Sequence, residues 1–260
     1  HGAFTVLSAN RTEMGNPFSR NQGALDFSVV IPVHNEQGNV IPLMKEVCSA
    51  LQQIPVNYEV VVVDDGSSDG TPAVLKQARG SWPQLKVVHH PKNKGQSASL
   101  LSGVRVAGAP WIVTLDGDGQ NDPADIPNLW SHITHLEQDS DLKLIAGHRR
   151  QRHDSWLRRT SSLIANIVRG AVLGDRTPDT GCGLKVFERE TFMRLPHFDH
   201  FHRFLPALVQ RAGGSVISIE VQHRPRTSGI SHYGISNRLW VGVIDLVGVM
   251  WLSNRNTPWN

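Results

Sequence analysis

Residues 111–120 read WIVTLDGDGQ, an apolar run that passes directly into two carboxylates one residue apart, Asp116 and Asp118. The apolar residues predict a buried strand, and the carboxylates stand where that strand ends. Such a pair suits a hard divalent cation, because Mg²⁺ takes one or two protein carboxylates and completes its shell with phosphate oxygens and water. Asp-Gly is also an ordinary turn dipeptide, so this stretch alone leaves both a metal site and a simple turn open.

The composition is that of a folded globular protein. Of the 260 residues, 39% are hydrophobic and 19% are charged, and the length fits one large domain or two small ones. The formal net charge of +3 is too small to indicate a nucleic-acid partner by itself. Cys48 and Cys182 lack the paired spacing of a zinc site, so we predict two free thiols, as in a reducing compartment.

Segments that predict strands alternate with segments of helical periodicity. The predicted strands are residues 27–33, 58–63, 85–89, 111–115, 142–146, 184–187 and 216–221. The predicted helices are residues 40–51, 95–107, 122–135 and 202–212, with another that begins near Pro72. This alternation predicts an α/β fold with a mostly parallel sheet flanked by helices.

Polar clusters follow three of the predicted strands: residues 34–36, Asp64 with Asp65, and Asp116 with Asp118. In a mostly parallel sheet, ligands bind beyond the carboxyl ends of the strands. We therefore expect the three clusters to converge on one crevice. Helix capping is the alternative explanation for each cluster taken singly.

Two later segments are basic. Residues 147–159 contain Arg149, Arg150, Arg152, Arg158 and Arg159, which predicts either a site for phosphates and anionic head groups or a solvated surface. Residues 157–173 then show helical spacing typical of a helix on a membrane or on the sheet. Residues 223–233 form a basic, glycine-containing loop suited to a diphosphate, or a mobile surface loop.

The chain ends in an apolar segment, residues 239–252, whose only charged residue is Asp245. Its fourteen residues fall short of the roughly 20 that a helix needs to cross a bilayer. We predict an amphipathic or membrane-proximal helix, and packing in a core or an oligomer interface stays open.

Together these motifs resemble the family 2 glycosyltransferases of GT-A fold, and within them the dolichyl-phosphate mannose synthase-like group, which glycosylates polyprenyl phosphates. The resemblance is carried, in the family's order, by residues 31–36, 63–71, 116–120, 147–149 and 226–233. It implies a Rossmann-like catalytic domain over residues 27–235, preceded by a lead-in of residues 1–26 and followed by an apolar helix and tail, residues 236–260.

The resemblance also implies roles for individual residues. A metal ion, Mg²⁺ or Mn²⁺, would be bound by Asp116 and Asp118, and the catalytic residues would be Asp118, Gln120 and Asp179. The nucleotide-sugar donor would be bound by Pro32, Asn35, Glu36, Asp64, Asp65, Asp116, Arg224, Arg226, Ser231 and His232. The acceptor phosphate would be bound by Arg149, Arg150, Arg158 and Arg159. His232 stands where the family commonly has Lys, and His is largely neutral at pH 7.

The implied activity is that of a metal-dependent hexosyltransferase that inverts the anomeric centre. It would move a sugar from a GDP- or UDP-linked donor to a polyprenyl phosphate, such as a dolichyl or undecaprenyl phosphate, at the cytoplasmic face of a membrane. A phosphate monoester is already largely anionic at neutral pH, whereas a hydroxyl acceptor needs a base, for which Asp179 is the candidate. Two alternatives stay open: transfer to a glycan hydroxyl, and a non-catalytic module that binds nucleotide sugars.

Overall fold

The computed structural model describes residues 23–136, 140–149, 177–225, 245–252 and 255. Its strands are β1 (Phe27–Val33), β2 (Tyr58–Asp64), β3 (Leu85–His89), β4 (Trp111–Thr114), β5 (Leu142–Arg149), β6 (Lys185–Glu188) and β7 (Ser215–Val221). They form one sheet in the order β3-β2-β1-β4-β6-β5-β7. Only β6 runs antiparallel to its neighbours among these strands, so the predicted mostly parallel α/β sheet is confirmed.

The helices are α1 (Val40–Leu51), α2 (Thr71–Ser81), α3 (Gln96–Val106), α4 (Ile126–Thr134), α5 (Arg189–Arg194) and α6 (Leu205–Arg211). The predicted helix 122–135 begins as a 3₁₀ turn, Pro123–Asp125, because the Asp122 side chain accepts a hydrogen bond from the Ala124 amide. The segment 202–212 likewise contains part of a 3₁₀ turn, Phe201–Arg203, before α6. Helix α5 was not predicted, since six residues are too few for a periodic pattern.

The central strands are buried on both faces, which explains why they read as continuous apolar runs. Val29 and Ile31 of β1 lie in one core with Leu43 of α1. Val30, between them, lies in the other core with Leu100 of α3. The sheet is therefore covered by helices on both sides, and its carboxyl edge is the place where the connecting loops meet.

A buried carboxylate fixes the other edge of the sheet. Glu59 of β2 is 4% exposed and accepts hydrogen bonds from the Ser28 hydroxyl at 2.7 Å and the Gly108 amide at 2.6 Å. Burial alone would raise the pKa of Glu59, but these hydrogen bonds and Lys86 outweigh it and lower the pKa. The carboxylate thus joins β1, β2 and the loop before β4.

Residues 245–252 are helical and pack on the second core through Leu246, Val249 and Leu252. Arg211 of α6 donates from Nε to the Leu252 carbonyl at 2.9 Å. Asp245, the charged residue of the apolar segment, lies 3.2 Å from Nδ1 of His200. In the part of the chain that the structure describes, no helix has the length and apolar character needed to span a bilayer.

Candidate active site

The turns after β1 and β2 interlock through Asn35, which adopts a left-handed backbone conformation at φ 56°. Its amide donates to the Ser67 hydroxyl at 2.9 Å, and its side-chain oxygen accepts from the amides of Ser68 at 2.8 Å and Asp69 at 3.3 Å. A short polar side chain tolerates this backbone conformation, which explains the choice of Asn. Asn35 therefore holds the acidic turn beside the first strand end.

The other predicted donor-site residues of these two turns also lie at the carboxyl edge. Glu36 is buried and accepts from Asn39 Nδ2 at 2.5 Å. Asp64 is buried at the end of β2, where one oxygen accepts from the Ser67 amide at 3.1 Å and the other faces Nδ1 of His89 at 3.1 Å. Pro32, on β1, pairs in register with β2 and is partly buried.

Asp65 is 4% exposed and organises the loop that leads into α3. Its carboxylate accepts from the amides of Lys94 at 2.9 Å and Gly95 at 2.8 Å, and Nδ1 of His90 lies 2.7 Å away. His90 in turn lies 2.9 Å from the Ser102 hydroxyl through Nε2. Asp65 therefore ties the second turn to the N-terminus of α3.

Asp116 is fixed from three sides. Its amide donates to Asn121 Oδ1 at 3.0 Å, and its Oδ1 accepts from Gln96 Nε2 at 2.8 Å. A Cβ atom at position 183 would overlap the Asp116 carboxylate and force it to move, so Gly183 allows the segment before β6 to lie close to this carboxylate. Neither Gln96 nor Gly183 was among the predicted site residues.

The environment of Asp116 favours a cation. Burial, and next the charge of Asp118, raise the pKa of Asp116 to about 6, although Lys185 and Arg149 act in the opposite direction. Within the described residues no group of three or more His, Cys, Asp or Glu side chains could hold a metal ion. The two carboxylates fit Mg²⁺ or Mn²⁺ that brings further oxygen ligands from a phosphate and water.

The loop that carries Asp118 is stabilised by a hydrogen bond within the loop. Asp118 Oδ1 accepts from the Gln120 amide at 3.1 Å, and Gly119 between them has a φ of 74°, which favours glycine. Both Asp118 and Gln120 are partly buried. The structure therefore places these two predicted catalytic residues in one turn directly after β4.

Lys185 is a site residue that the sequence analysis missed. It is 5% exposed on β6, and its ammonium donates to the Cys182 carbonyl. Burial lowers the pKa of Lys185, and Cys182, Asp116 and Asp179 partly offset that effect. A lysine at the start of an otherwise apolar strand was the available signal, because a buried lysine is rare unless it is paired.

Asp179, which is buried, forms an ion pair with the partly buried Arg149. Arg149 donates from Nε to one Asp179 oxygen at 2.7 Å and from Nη2 to the other at 2.8 Å, and Asp179 is 2% exposed. Burial alone would lower the pKa of Arg149, but the hydrogen bonds and charge of Asp179 outweigh it and raise the pKa. Asp179, the predicted base, is therefore paired with Arg149, a predicted phosphate ligand.

The segment after β7 lies along the loop of Asp118. The Arg224 amide donates to the Gln120 carbonyl at 2.9 Å, and His223 pairs with Asn121. The Arg224 guanidinium contacts Asp122 through Nε at 3.1 Å and Nη2 at 2.7 Å, and it contacts Glu46 through Nη1 at 2.7 Å. The remaining predicted residues, Arg150, Arg158, Arg159, Arg226, Ser231 and His232, lie outside the described residues.

Residues 28–195 match the family described as Glycosyl transferase family 2. The chain belongs to this family. The predicted family is thereby confirmed, and the protein is a glycosyltransferase whose matched region contains β1 to β6 and all three strand-end clusters.

Two curated relatives of this family 2 glycosyltransferase have names that include a polyprenyl phosphate. A dodecaprenyl-phosphate galacturonate synthase of Rhizobium johnstonii is 36% identical over 231 residues, which are 87% of this chain and 67% of the relative. An undecaprenyl-phosphate 4-deoxy-4-formamido-L-arabinose transferase of Aeromonas hydrophila is 34% identical over 86% of this chain and 67% of the relative. The chain thus spans about two thirds of the length of these relatives.

Solved glycosyltransferase structures share the GT-A-like fold. Glucosyl-3-phosphoglycerate synthase of Mycobacterium tuberculosis, crystallised with Mn²⁺, UDP and glucosyl-3-phosphoglycerate, has a TM-score of 0.66 at 18% identity, covering 88% of this chain and 80% of its own. A mannosyltransferase of Pyrobaculum calidifontis in complex with GDP-Man and Mn²⁺ has a TM-score of 0.63 at 20% identity. The match covers 91% of this chain and 67% of the mannosyltransferase chain. Both neighbours contain a divalent metal and a nucleotide or nucleotide sugar.

The raised pKa of Asp116 predicts a stability cost at neutral pH. A carboxyl whose pKa is higher in the folded than in the unfolded state stabilises the fold at low pH, and this contribution is lost as the pH rises through about 6. Asp116→Asn should therefore increase the free energy of unfolding near pH 8 without metal, by about 2 kcal/mol, and by clearly less near pH 4.5. Urea unfolding at both pH values measures this, with the exposed Asp141→Asn as control. Equal gains at both pH values would contradict the prediction.

Proposed function

We propose that this protein transfers a sugar, with inversion, from a GDP- or UDP-linked donor to a polyprenyl phosphate at a membrane surface. The observation that carries the proposal is the paired carboxylates Asp116 and Asp118 at the carboxyl edge of the sheet, next to the interlocked turns after β1 and β2. The names of the two relatives indicate the acceptor class, since each names a polyprenyl phosphate together with a sugar.

In this proposal the carboxylates of Asp116 and Asp118 hold Mg²⁺ or Mn²⁺ together with the donor diphosphate. The metal supplies Lewis-acid stabilisation of the negative charge on the departing diphosphate. The nucleoside would lie against Pro32, Asn35, Glu36, Asp64 and Asp65. Because the Asn35 and Asp65 side chains bind the backbone amides of neighbouring segments, they would act mainly by shaping this surface.

Arg224 has a positioning role in the proposal. Its guanidinium is bound to Asp122 and Glu46, and its amide holds the segment against Gln120. This attachment holds residue 224 beside the loop of Asp118, two positions before Arg226 in the sequence. Direct contact with the donor diphosphate is then assigned to Arg226, Ser231 and His232, whose residue types suit phosphate oxygens.

The acceptor phosphate is assigned to Arg149 together with Arg150, Arg158 and Arg159. Asp179 holds the Arg149 guanidinium in one orientation through two hydrogen bonds, which is the pre-organisation that phosphate recognition requires. A phosphate monoester needs no general base at neutral pH. Asp179 is therefore proposed to orient Arg149 for a lipid phosphate, and to serve as a base only if the acceptor is a hydroxyl.

The membrane surface would be contacted by the helix at residues 245–252. Val247, Met250 and Trp251 are exposed on it, at 53%, 38% and 59%, and their spacing puts them on one face. The Arg255 guanidinium lies 4.9 Å from the Trp251 ring centroid. An aromatic side chain beside a cation is typical of the interface between anionic head groups and acyl chains.

The proposed transfer is tested with GDP- and UDP-sugars, Mg²⁺ or Mn²⁺ and a short polyprenyl phosphate, with glycolipid and free nucleotide both measured. We expect metal-dependent glycolipid, and we expect Asp118→Asn to lower its formation by about 100-fold or more. Asp141→Asn, which changes an exposed carboxylate, should retain normal turnover. Nucleotide release without glycolipid would point to a hydroxyl acceptor, and neither product from any donor would support a non-catalytic binding module.

The role of Asp179 separates the lipid-phosphate acceptor from a hydroxyl acceptor. If Asp179 acts by orienting Arg149, Asp179→Asn and Arg149→Gln should lower transfer by similar factors, and the double variant should be little worse than either, because the two side chains act as one unit. The measurement is a double-mutant cycle on kcat/KM. A far larger loss in Asp179→Asn than in Arg149→Gln would indicate base catalysis and a hydroxyl acceptor.

Membrane contact predicts that the exposed face of the C-terminal helix determines vesicle binding. The double variant Val247→Ser and Trp251→Ser should bind vesicles of mixed neutral and anionic lipid about tenfold more weakly, because less apolar surface is removed from water. Vesicle co-sedimentation measures this. Val106→Ser, an exposed apolar residue on α3, is the matched control. Equal binding by both variants would move the membrane contact elsewhere.

A further inference from the structure

Gln96 is the first residue of α3 and stands outside the residues that the motifs assign to the site. Its side-chain amide donates from Nε2 to Asp116 Oδ1 at 2.8 Å, although the two residues are 20 positions apart. A carboxylate has a soft terminal torsion, so its plane is set by the hydrogen bonds that it accepts. The amide of Gln96 therefore determines how the Asp116 carboxylate is turned.

Gln96 is itself held in place by its neighbours. The Asp65 carboxylate accepts from the amides of Lys94 and Gly95, directly before Gln96, at 2.9 and 2.8 Å. Directly after it, the Ser97 hydroxyl lies 2.8 Å from Nδ1 of His202. Gly95, at a φ of 88°, allows the sharp entry into the helix. The backbone on the N-terminal side of Gln96 is thus attached to the acidic turn after β2.

Asp116 is constrained on its other sides by the Asn121 side chain and by the backbone at Gly183. The first contact fixes the main chain and the second limits the space beside the carboxylate, while Gln96 contacts a carboxylate oxygen itself. A chain of contacts therefore runs from the Asp65 carboxylate through the backbone of residues 94–96 to the Gln96 side chain and Asp116. It joins the turn assigned to the nucleoside to the carboxylates assigned to the metal.

We propose that Gln96 is a positioning residue for the metal: it orients Asp116 for the divalent cation and makes that orientation depend on the Asp65 turn. The inference rests on the proposed function, because it assumes that Asp116 and Asp118 bind the cation. Hydrogen-bond partners of metal-binding carboxylates typically change metal affinity by about 10- to 100-fold when they are removed. Gln96 should contribute at the lower end of that range, since it is neutral and exposed.

The test is Mn²⁺ binding, measured by the loss of the free-Mn²⁺ electron paramagnetic resonance signal in the presence of UDP or GDP. Gln96→Met keeps the length of the side chain and removes the donor. We expect it to weaken Mn²⁺ binding by about tenfold. In the transfer assay the Mn²⁺ concentration for half-maximal rate should rise by a similar factor, and kcat at saturating Mn²⁺ should return to within about twofold of the wild type.

Controls separate this role from a structural one. Gln77→Met, at an exposed position of α2, should leave Mn²⁺ affinity unchanged. Asp118→Asn should abolish Mn²⁺ binding, which would show that the measured binding occurs at the proposed site. Wild-type affinity in Gln96→Met would overturn the inference and leave the proposed function intact. No Mn²⁺ binding by the wild-type protein would overturn the metal assignment itself, and the inference with it.

Discussion

The main constraint on this structure is electrostatic: several carboxylates lie close together at the carboxyl edge of a buried sheet, which is unfavourable. Asp116, Asp118 and Asp179 lie in one neighbourhood with the cationic side chains of Lys185 and Arg149. Burial, and next the charge of Asp118, penalise the ionised form of Asp116 and raise its pKa. Such an arrangement does not stabilise the folded state. Unfavourable electrostatics of this kind are concentrated where a protein binds ligands or catalyses a reaction.

The fold holds this arrangement by using backbone amides as partners for side chains. The parallel register of β1, β2 and β4 brings their carboxyl ends to the same edge. There Asn35 binds the amides of the next turn, Asp65 binds those of the loop before α3, and Asn121 binds that of Asp116. The first two contacts join one connecting segment to another and the third closes the turn after β4, so the contacts of Asn35 and Asp65 form only when neighbouring strand ends have assembled.

Much of this was predictable from the sequence because apolar runs and strand-end carboxylates are local signals. The strands and the family were predicted correctly, since both depend on short local motifs, and the meeting of the strand ends at one edge was expected from the parallel direction of the strands. Contacts between distant residues leave no such signal. Arg224 pairs with Glu46 across 178 positions, and the sequence around Lys185 does not indicate that its side chain lies near Asp116. The reversal of β6 and the Gln96 contact likewise follow from packing alone.

If Asp116 and Asp118 bind the metal as proposed, the charges of the site also bear on the order in which ligands bind. The three carboxylates Asp116, Asp118 and Asp179 and the two cations Lys185 and Arg149 sum to a formal charge of −1, which would repel an anionic donor. A divalent cation between Asp116 and Asp118 would change this sum to +1, so a diphosphate would be attracted only after, or together with, the metal. Because Asp179 already neutralises Arg149, a phosphate bound by Arg149 as proposed would gain less from attraction at long range than from the fixed direction of the guanidinium hydrogen bonds. In the same proposal this pairing would keep Arg149 from competing for the donor diphosphate, so the donor and acceptor phosphates would bind at different positions.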